Sequence, residues 1–203
     1  NVTGAVIKSL VSKGILVEIE KEIDRVLDKE EEGIDLYKLN EDQSRALHEI
    51  KSSFELRKTV LRHGVTSSGK TQLYVELIKE QLKKGNQSLY LLPEIALTTQ
   101  LISRLKVFFK HQVLIYHSKY NLNERLEVWN HVINAKEPYV VIGARSAMLL
   151  PFQKLGLVLI DEEHETSFKQ YDPAPRYHAR DAAIVLGHMK KASVLLGSAT
   201  PSL

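Results

Sequence analysis

Gly64-Val65-Thr66-Ser67-Ser68-Gly69-Lys70-Thr71 sets two glycines, a lysine and a threonine at the spacing G-x-x-x-x-G-K-[ST]. It follows the apolar pair Val60-Leu61 and precedes residues with helical spacing, the strand–loop–helix setting that gives this pattern physical meaning. Glycines at 64 and 69 let the backbone approach a polyphosphate closely. The N–H groups of Val65, Thr66, Ser67 and Ser68, with the N-terminus of the following helix, point partial positive charge at it. Lys70 reaches the β- and γ-phosphates, and the Thr71 hydroxyl is a ligand for magnesium. The stretch predicts binding of a nucleoside triphosphate.

Short apolar runs alternate with helical patterns on either side of this loop. Strands are expected at Thr59–Leu61, Ser88–Leu92, Val113–Tyr116, Tyr139–Ile142, Leu157–Ile160 and Val194–Leu196. Helices are expected from Asn40 to about residue 53 and over 70–84, 95–109, 123–135 and 179–190. Runs such as Leu157-Val158-Leu159-Ile160 are continuous rather than alternating, as in parallel strands buried on both faces. The order implies a doubly wound α/β layer fold. Trp129 shares a helical stripe with Leu126 and Ile133, which points to the core.

Residues 2–13 carry a helical stripe ending at Gly14, and Ile15, Val17, Ile19 and Ile23 read as a strand. Together they suit the tail of a winged-helix module. Asp28–Gly33 is a charged linker, and a boundary is expected near residue 38. Residues 1–39 hold 6 Lys/Arg and 9 Asp/Glu, a net of −3. The whole chain has 28 basic and 25 acidic residues, so the remainder is +6, a balance compatible with a polyanionic partner. Neither a run of ~18 apolar residues nor a signal-peptide pattern occurs, so no membrane partner is expected. The absence of cysteine excludes disulfides and thiolate metal sites and fits a reducing cytoplasm. The chain starts without Met and stops just after Gly197-Ser198-Ala199-Thr200-Pro201, which reads as a piece of a longer protein.

The run Leu157–Ile160 leads into Asp161-Glu162-Glu163-His164. Acids at the carboxyl end of a parallel strand lie where such sheets present ligands. Asp161 is expected to hold magnesium, and Glu162 to position and deprotonate the attacking water. Lys70, Asp161 and Glu162 are thus the candidate catalytic set, since phosphoryl transfer needs chiefly positioning and charge stabilisation. His164 is a candidate link to a neighbouring element. Hydroxyls at Ser198 and Thr200, after the next strand, are expected to hydrogen-bond acids on the adjacent strand. Residues 167–181 mix Phe168, Tyr171 and Tyr177 with Lys169, Arg176 and Arg180, a combination able to stack on unpaired bases and grip backbone phosphate.

A phosphate loop, D-E-E-H and S-A-T on successive strands resemble superfamily-2 helicases. With LLPEIALT, IGARSAM, KQ, RYHARD and GSATP, the chain resembles the bacterial primosomal replication-restart helicases over nearly its whole length. That resemblance implies a RecA-like, mostly parallel first helicase lobe over 39–203, preceded by a winged-helix remnant. It implies a DNA-dependent ATPase using ATP and magnesium and unwinding 3′ to 5′ at stalled forks. Gln43 resembles the superfamily's adenine-reading glutamine, or is only the third residue of a capping box with Asn40. Thr98, Arg145 and Ser146 fall in words resembling the DNA-backbone motifs, and Phe168, Tyr171, Arg176 and Tyr177 in the loop that couples DNA binding to hydrolysis. That loop lacks the Trp such loops often carry. Single-stranded and forked DNA, primosome loader proteins and single-strand-binding protein are the partners implied. An arginine finger and a zinc module are expected beyond Leu203, and a fork-recognising domain before Asn1. Alone, the lobe is expected to bind nucleotide weakly and to be nearly inactive. A different superfamily-2 translocase, or a scaffold that binds without hydrolysing, remains the alternative.

Overall fold

The computed structural model describes residues 39–56, 59–64, 69–117 and 120–201, together with Lys13. The winged-helix-like reading of residues 1–38 and the loop residues Val65, Thr66, Ser67 and Ser68 fall outside the described residues. The chain divides into two compact units at residues 34/35, and the sheet and its helices belong to the second.

Six strands form one all-parallel sheet in the order β1-β6-β5-β2-β4-β3. They are β1 (Val60–His63), β2 (Gln87–Leu91), β3 (Val113–Tyr116), β4 (Val140–Gly143), β5 (Leu155–Ile160) and β6 (Ser193–Ser198). Helices α1 (Glu41–Glu55), α2 (Lys70–Lys83), α3 (Thr99–Phe109), α4 (Leu122–Asn134) and α5 (Ala179–Lys190) flank it. This is the doubly wound RecA-like lobe expected from the sequence.

Strand periodicity divides the core into two layers. Leu157 and Leu159 face one side, with Tyr90, Val140, Ile142 and residues of α1, α2 and α3. Val158 and Ile160 face the other, with Leu89, Leu91, Val141 and residues of α5. Every residue of β2 and β4 is buried, so both faces of the central sheet are covered. A Cβ on Gly187 would overlap Val194 Cγ2, so glycine lets α5 lie close on β6.

Two expectations change. The helix expected over 95–109 is broken. A 3₁₀ turn over Glu94–Ala96 precedes Thr98, whose extended backbone and side chain cap α3 through Leu101 N–H at 3.3 Å. Trp129 is not core: Leu122, Leu126, Trp129 and Ile133 are 81, 54, 40 and 42% exposed. Helix α4 turns Val132, and in part Val128, towards the sheet beside the edge strand β3. The stripe identified by periodicity is therefore the other apolar face of the same helix.

Phe168, expected among the DNA-contacting residues, is fully buried with Phe152 and Ala183 in the second layer. A ring with no accessible face cannot stack on a base, whereas Tyr171 is 68% exposed. Phe168→Ala should lower stability by about 3–5 kcal/mol in urea unfolding, and Tyr171→Ala by no more than about 0.5 kcal/mol.

Candidate functional site

The carboxyl ends of β1, β5 and β6 bring the sequence-predicted residues together. Gly69 takes φ +77° at the N-terminus of α2, a conformation that favours glycine. Its surroundings also require it, because a Cβ there would overlap Gln43 Nε2. Gly64 N–H donates to the Ser198 carbonyl at 3.0 Å, closing the loop's entrance against β6.

Lys70 is buried although charged. Its ammonium lies 3.2 Å from Glu162 Oε1 and 3.8 Å from Asp161 Oδ1. Burial pushes the Asp161 carboxyl above the ordinary carboxylate range, and the Lys70 charge opposes that shift. Glu162 adopts φ +48°, a left-handed conformation that costs an L-residue about 1–2 kcal/mol. The turn sends the chain back, so that Glu163 N–H donates to the Gly197 carbonyl at 3.0 Å.

The donors suit a hard divalent cation. Thr71 is the second residue of α2 and Asp161 directly follows β5, both with side-chain oxygen, and an ammonium already lies beside the two acids. Among the described residues no group of three or more His, Cys, Asp or Glu gathers to hold an ion. An ion held by Thr71 and Asp161 would therefore take its remaining ligands from water and phosphate.

His164 Nδ1 lies 2.7 Å from Ser198 Oγ, and the same oxygen accepts from Thr200 N–H at 3.1 Å. The expectation that Ser198 would bond an acid is corrected. The turn after Asp161 carries Glu162 towards Lys70 and Glu163 towards α5, leaving the imidazole opposite Ser198. Glu163 is almost fully buried and accepts from Arg180 Nη1 at 2.8 Å, while Arg180 Nε reaches Asp181 at 2.8 Å. Arg180 is thus held in an ion-pair network that joins the acidic turn to α5.

Gln43 performs both halves of the capping box with Asn40. Its remaining amide hydrogens point to Gln72 Oε1, at 2.5 Å, beside Gly69. Capping and proximity to the nucleotide loop coexist in this residue.

Further out, Arg145 Nη1 donates to the Lys169 carbonyl at 2.9 Å, tying the turn after β4 to the aromatic-rich loop. Lys169 and His178 form an antiparallel bridge, and Gln170 N–H donates to the Tyr177 carbonyl at 2.8 Å. The Gln170 side chain then clasps the Pro173 and Pro175 carbonyls at 2.8 and 3.0 Å. Residues 171–176, including Tyr171 and Arg176, are exposed at the tip. Tyr177 packs partly into the core with its buried hydroxyl unpaired. Ser146 lies in the 3₁₀ turn Arg145–Leu149, and Thr98 is exposed at the start of α3.

Sequence reasoning missed Gln72, Tyr74, Tyr90 and Gly197. The hydroxyl of Tyr74 donates to Asp161 Oδ1 at 3.1 Å, and that of Tyr90 to Oδ2 at 3.4 Å. Both rings lie inside apolar stretches, and nothing in local spacing separates them from packing residues.

A model of the DEAD/DEAH box helicase family matches residues 40–202. The replication restart protein PriA of Bacillus subtilis (strain 168) is 41% identical over 205 residues, which cover 99% of this chain and 25% of that protein. PriA of Haemophilus influenzae is 49% identical over 143 residues, covering 70% of this chain and 19% of that one. This chain thus spans a quarter or less of these relatives' length. Among solved structures, RecG bound to a three-way DNA junction aligns with a TM-score of 0.56 at 21% identity, covering 99% of this chain and 23% of that one. The Sulfolobus solfataricus SWI2/SNF2 ATPase core in complex with dsDNA aligns at 0.52 and 13% identity, covering 81% of this chain and 32% of that one. At such identities the structural likeness carries the fold. The family match runs from the first residue of the capping box to beyond the end of β6, and the chain belongs to the DEAD/DEAH box helicase family.

Proposed function

We propose that this chain is the first ATP-binding lobe of a replication-restart DNA helicase that moves 3′ to 5′ along single-stranded DNA. The observation that carries the reading is the part-buried cluster of Lys70, Asp161 and Glu162 beside the His164–Ser198 contact. The 41% identity to PriA across 99% of the chain supports the biological assignment. Residues 1–38 are read as the tail of a winged-helix module and 39–203 as the motor lobe.

The loop 64–71 and Lys70 bind the triphosphate of ATP. Magnesium held by Thr71 and Asp161 would neutralise charge developing on the phosphate oxygens. On nucleotide binding, Lys70 exchanges its contact with Glu162 for the phosphates. That exchange frees Glu162 to accept a proton from the attacking water. His164, turned by the same backbone, passes the change to Ser198 at the end of β6 and to Thr200 just beyond it. Arg145, joined to the Lys169 carbonyl, carries it to the exposed tip with Tyr171 and Arg176, where single-stranded or forked DNA binds. Thr98 and Ser146 contact the DNA backbone. Primosome loader proteins and single-strand-binding protein act as partners in the bacterial cytoplasm, and zinc belongs to a further part of the protein.

Lys70→Ala in the full-length protein should lower DNA-stimulated ATP turnover by at least 100-fold while leaving forked-DNA affinity within about threefold. Glu162→Gln should bind ATP normally and lose about 10²–10⁴ in turnover. Steady-state hydrolysis with and without forked DNA decides, and unchanged turnover in both variants would sink the reading.

Arg176→Ala should keep nucleotide affinity and reduce the stimulation by DNA, as tested by titrating single strands into the ATPase assay. Equal stimulation in wild type and variant would remove the tip from the coupling path. The isolated chain, without an arginine from a second lobe, should turn over about three to five orders of magnitude more slowly than the full-length protein.

A further inference from the structure

We infer that Tyr74 is a positioning residue for the metal-holding carboxylate of Asp161, and that Gly197 is glycine to admit its hydroxyl. Tyr74 lies one turn beyond Lys70 on α2 and is 1% exposed. Its hydroxyl donates to Asp161 Oδ1 at 3.1 Å, and Glu162 N–H donates to the same oxygen at 3.1 Å. Tyr90, from β2, meets its ring edge-on at 5.6 Å and approaches Oδ2 at 3.4 Å. A Cβ on Gly197 would overlap the Tyr74 hydroxyl and lie 3.0 Å from Asp161 Oδ1.

The geometry has a chemical purpose. A carboxylate at a strand end can rotate about its last torsion. Two hydroxyl donors from different elements and one backbone N–H fix its plane. Phenol hydroxyls are neutral donors and suit this task. Partners of this kind behind a metal-binding group change metal affinity by about 10–100-fold when removed. The nucleotide itself touches neither phenol in this scheme. Loss of the Tyr74 hydroxyl should therefore weaken binding of the ion and leave metal-free binding of the nucleotide intact.

The inference rests on the reading of Asp161 as the protein's carboxylate ligand, and the test separates the two. Full-length wild type, Tyr74→Phe, Tyr90→Phe and Asp161→Asn are titrated with Mn²⁺ in the presence of a non-hydrolysable ATP analogue, with free Mn²⁺ followed by electron paramagnetic resonance. A fluorescent ATP analogue in EDTA measures metal-free binding in parallel, and urea unfolding checks the fold. Tyr74→Phe should weaken Mn²⁺ by about tenfold, Tyr90→Phe by less because its contact is longer, and neither should alter binding in EDTA. Mn²⁺ affinity within twofold of wild type in Tyr74→Phe, while Asp161→Asn loses it, would overturn the inference and leave the ligand reading standing. Equal losses with and without metal would also overturn it, because the tyrosine would then be packing alone. Unchanged Mn²⁺ affinity in Asp161→Asn would overturn the ligand reading itself.

Discussion

The buried ammonium of Lys70 is the constraint on which the site depends. An unpaired charge at that depth would cost several kcal/mol, and the chain meets the cost with two acids from the end of β5. Breaking such a pair by removing one partner leaves a charge uncompensated. Glu162 holds one side of that ion pair and is also the residue proposed to activate water. A ligand bringing phosphate charge would compete with these acids for the ammonium.

Around that pair the sheet acts as a register. Parallel pairing sets β1, β5 and β6 side by side, so Gly64, Asp161 and Ser198 arrive at one edge from distant places in the chain. The connection continues through polar contacts: Ser198 to His164, Glu163 to Arg180, Arg145 to Lys169. Each link joins two elements. These contacts are the ones the proposed coupling to the exposed loop tip would use.

Much of this is legible in the residues. The continuous apolar runs identify the parallel strands within two residues at either end, and the motifs name the acids and the lysine. The misreadings have physical causes. Helical periodicity finds a stripe but not what it faces, so Trp129 reads as inward although α4 turns Val132 to the sheet. Aromatic composition cannot separate Phe168, fully buried, from Tyr171, three residues on and exposed. Thr98 breaks a pattern that looks continuous because the apolar spacing on both sides of it is helical. Tyr74 and Tyr90 escape entirely, as does the reason for glycine at 197, since their role depends on three strands and a helix converging on Asp161.

The left-handed backbone of Glu162 sets stability against purpose at a single position. Glycine or asparagine would occupy that conformation more comfortably, by about 1 kcal/mol. Selection for heat resistance alone would therefore favour replacing the carboxylate proposed to activate water. A laboratory lineage evolved for robustness would drift towards glycine or asparagine there, and the glutamate survives only where a task of its own is under selection.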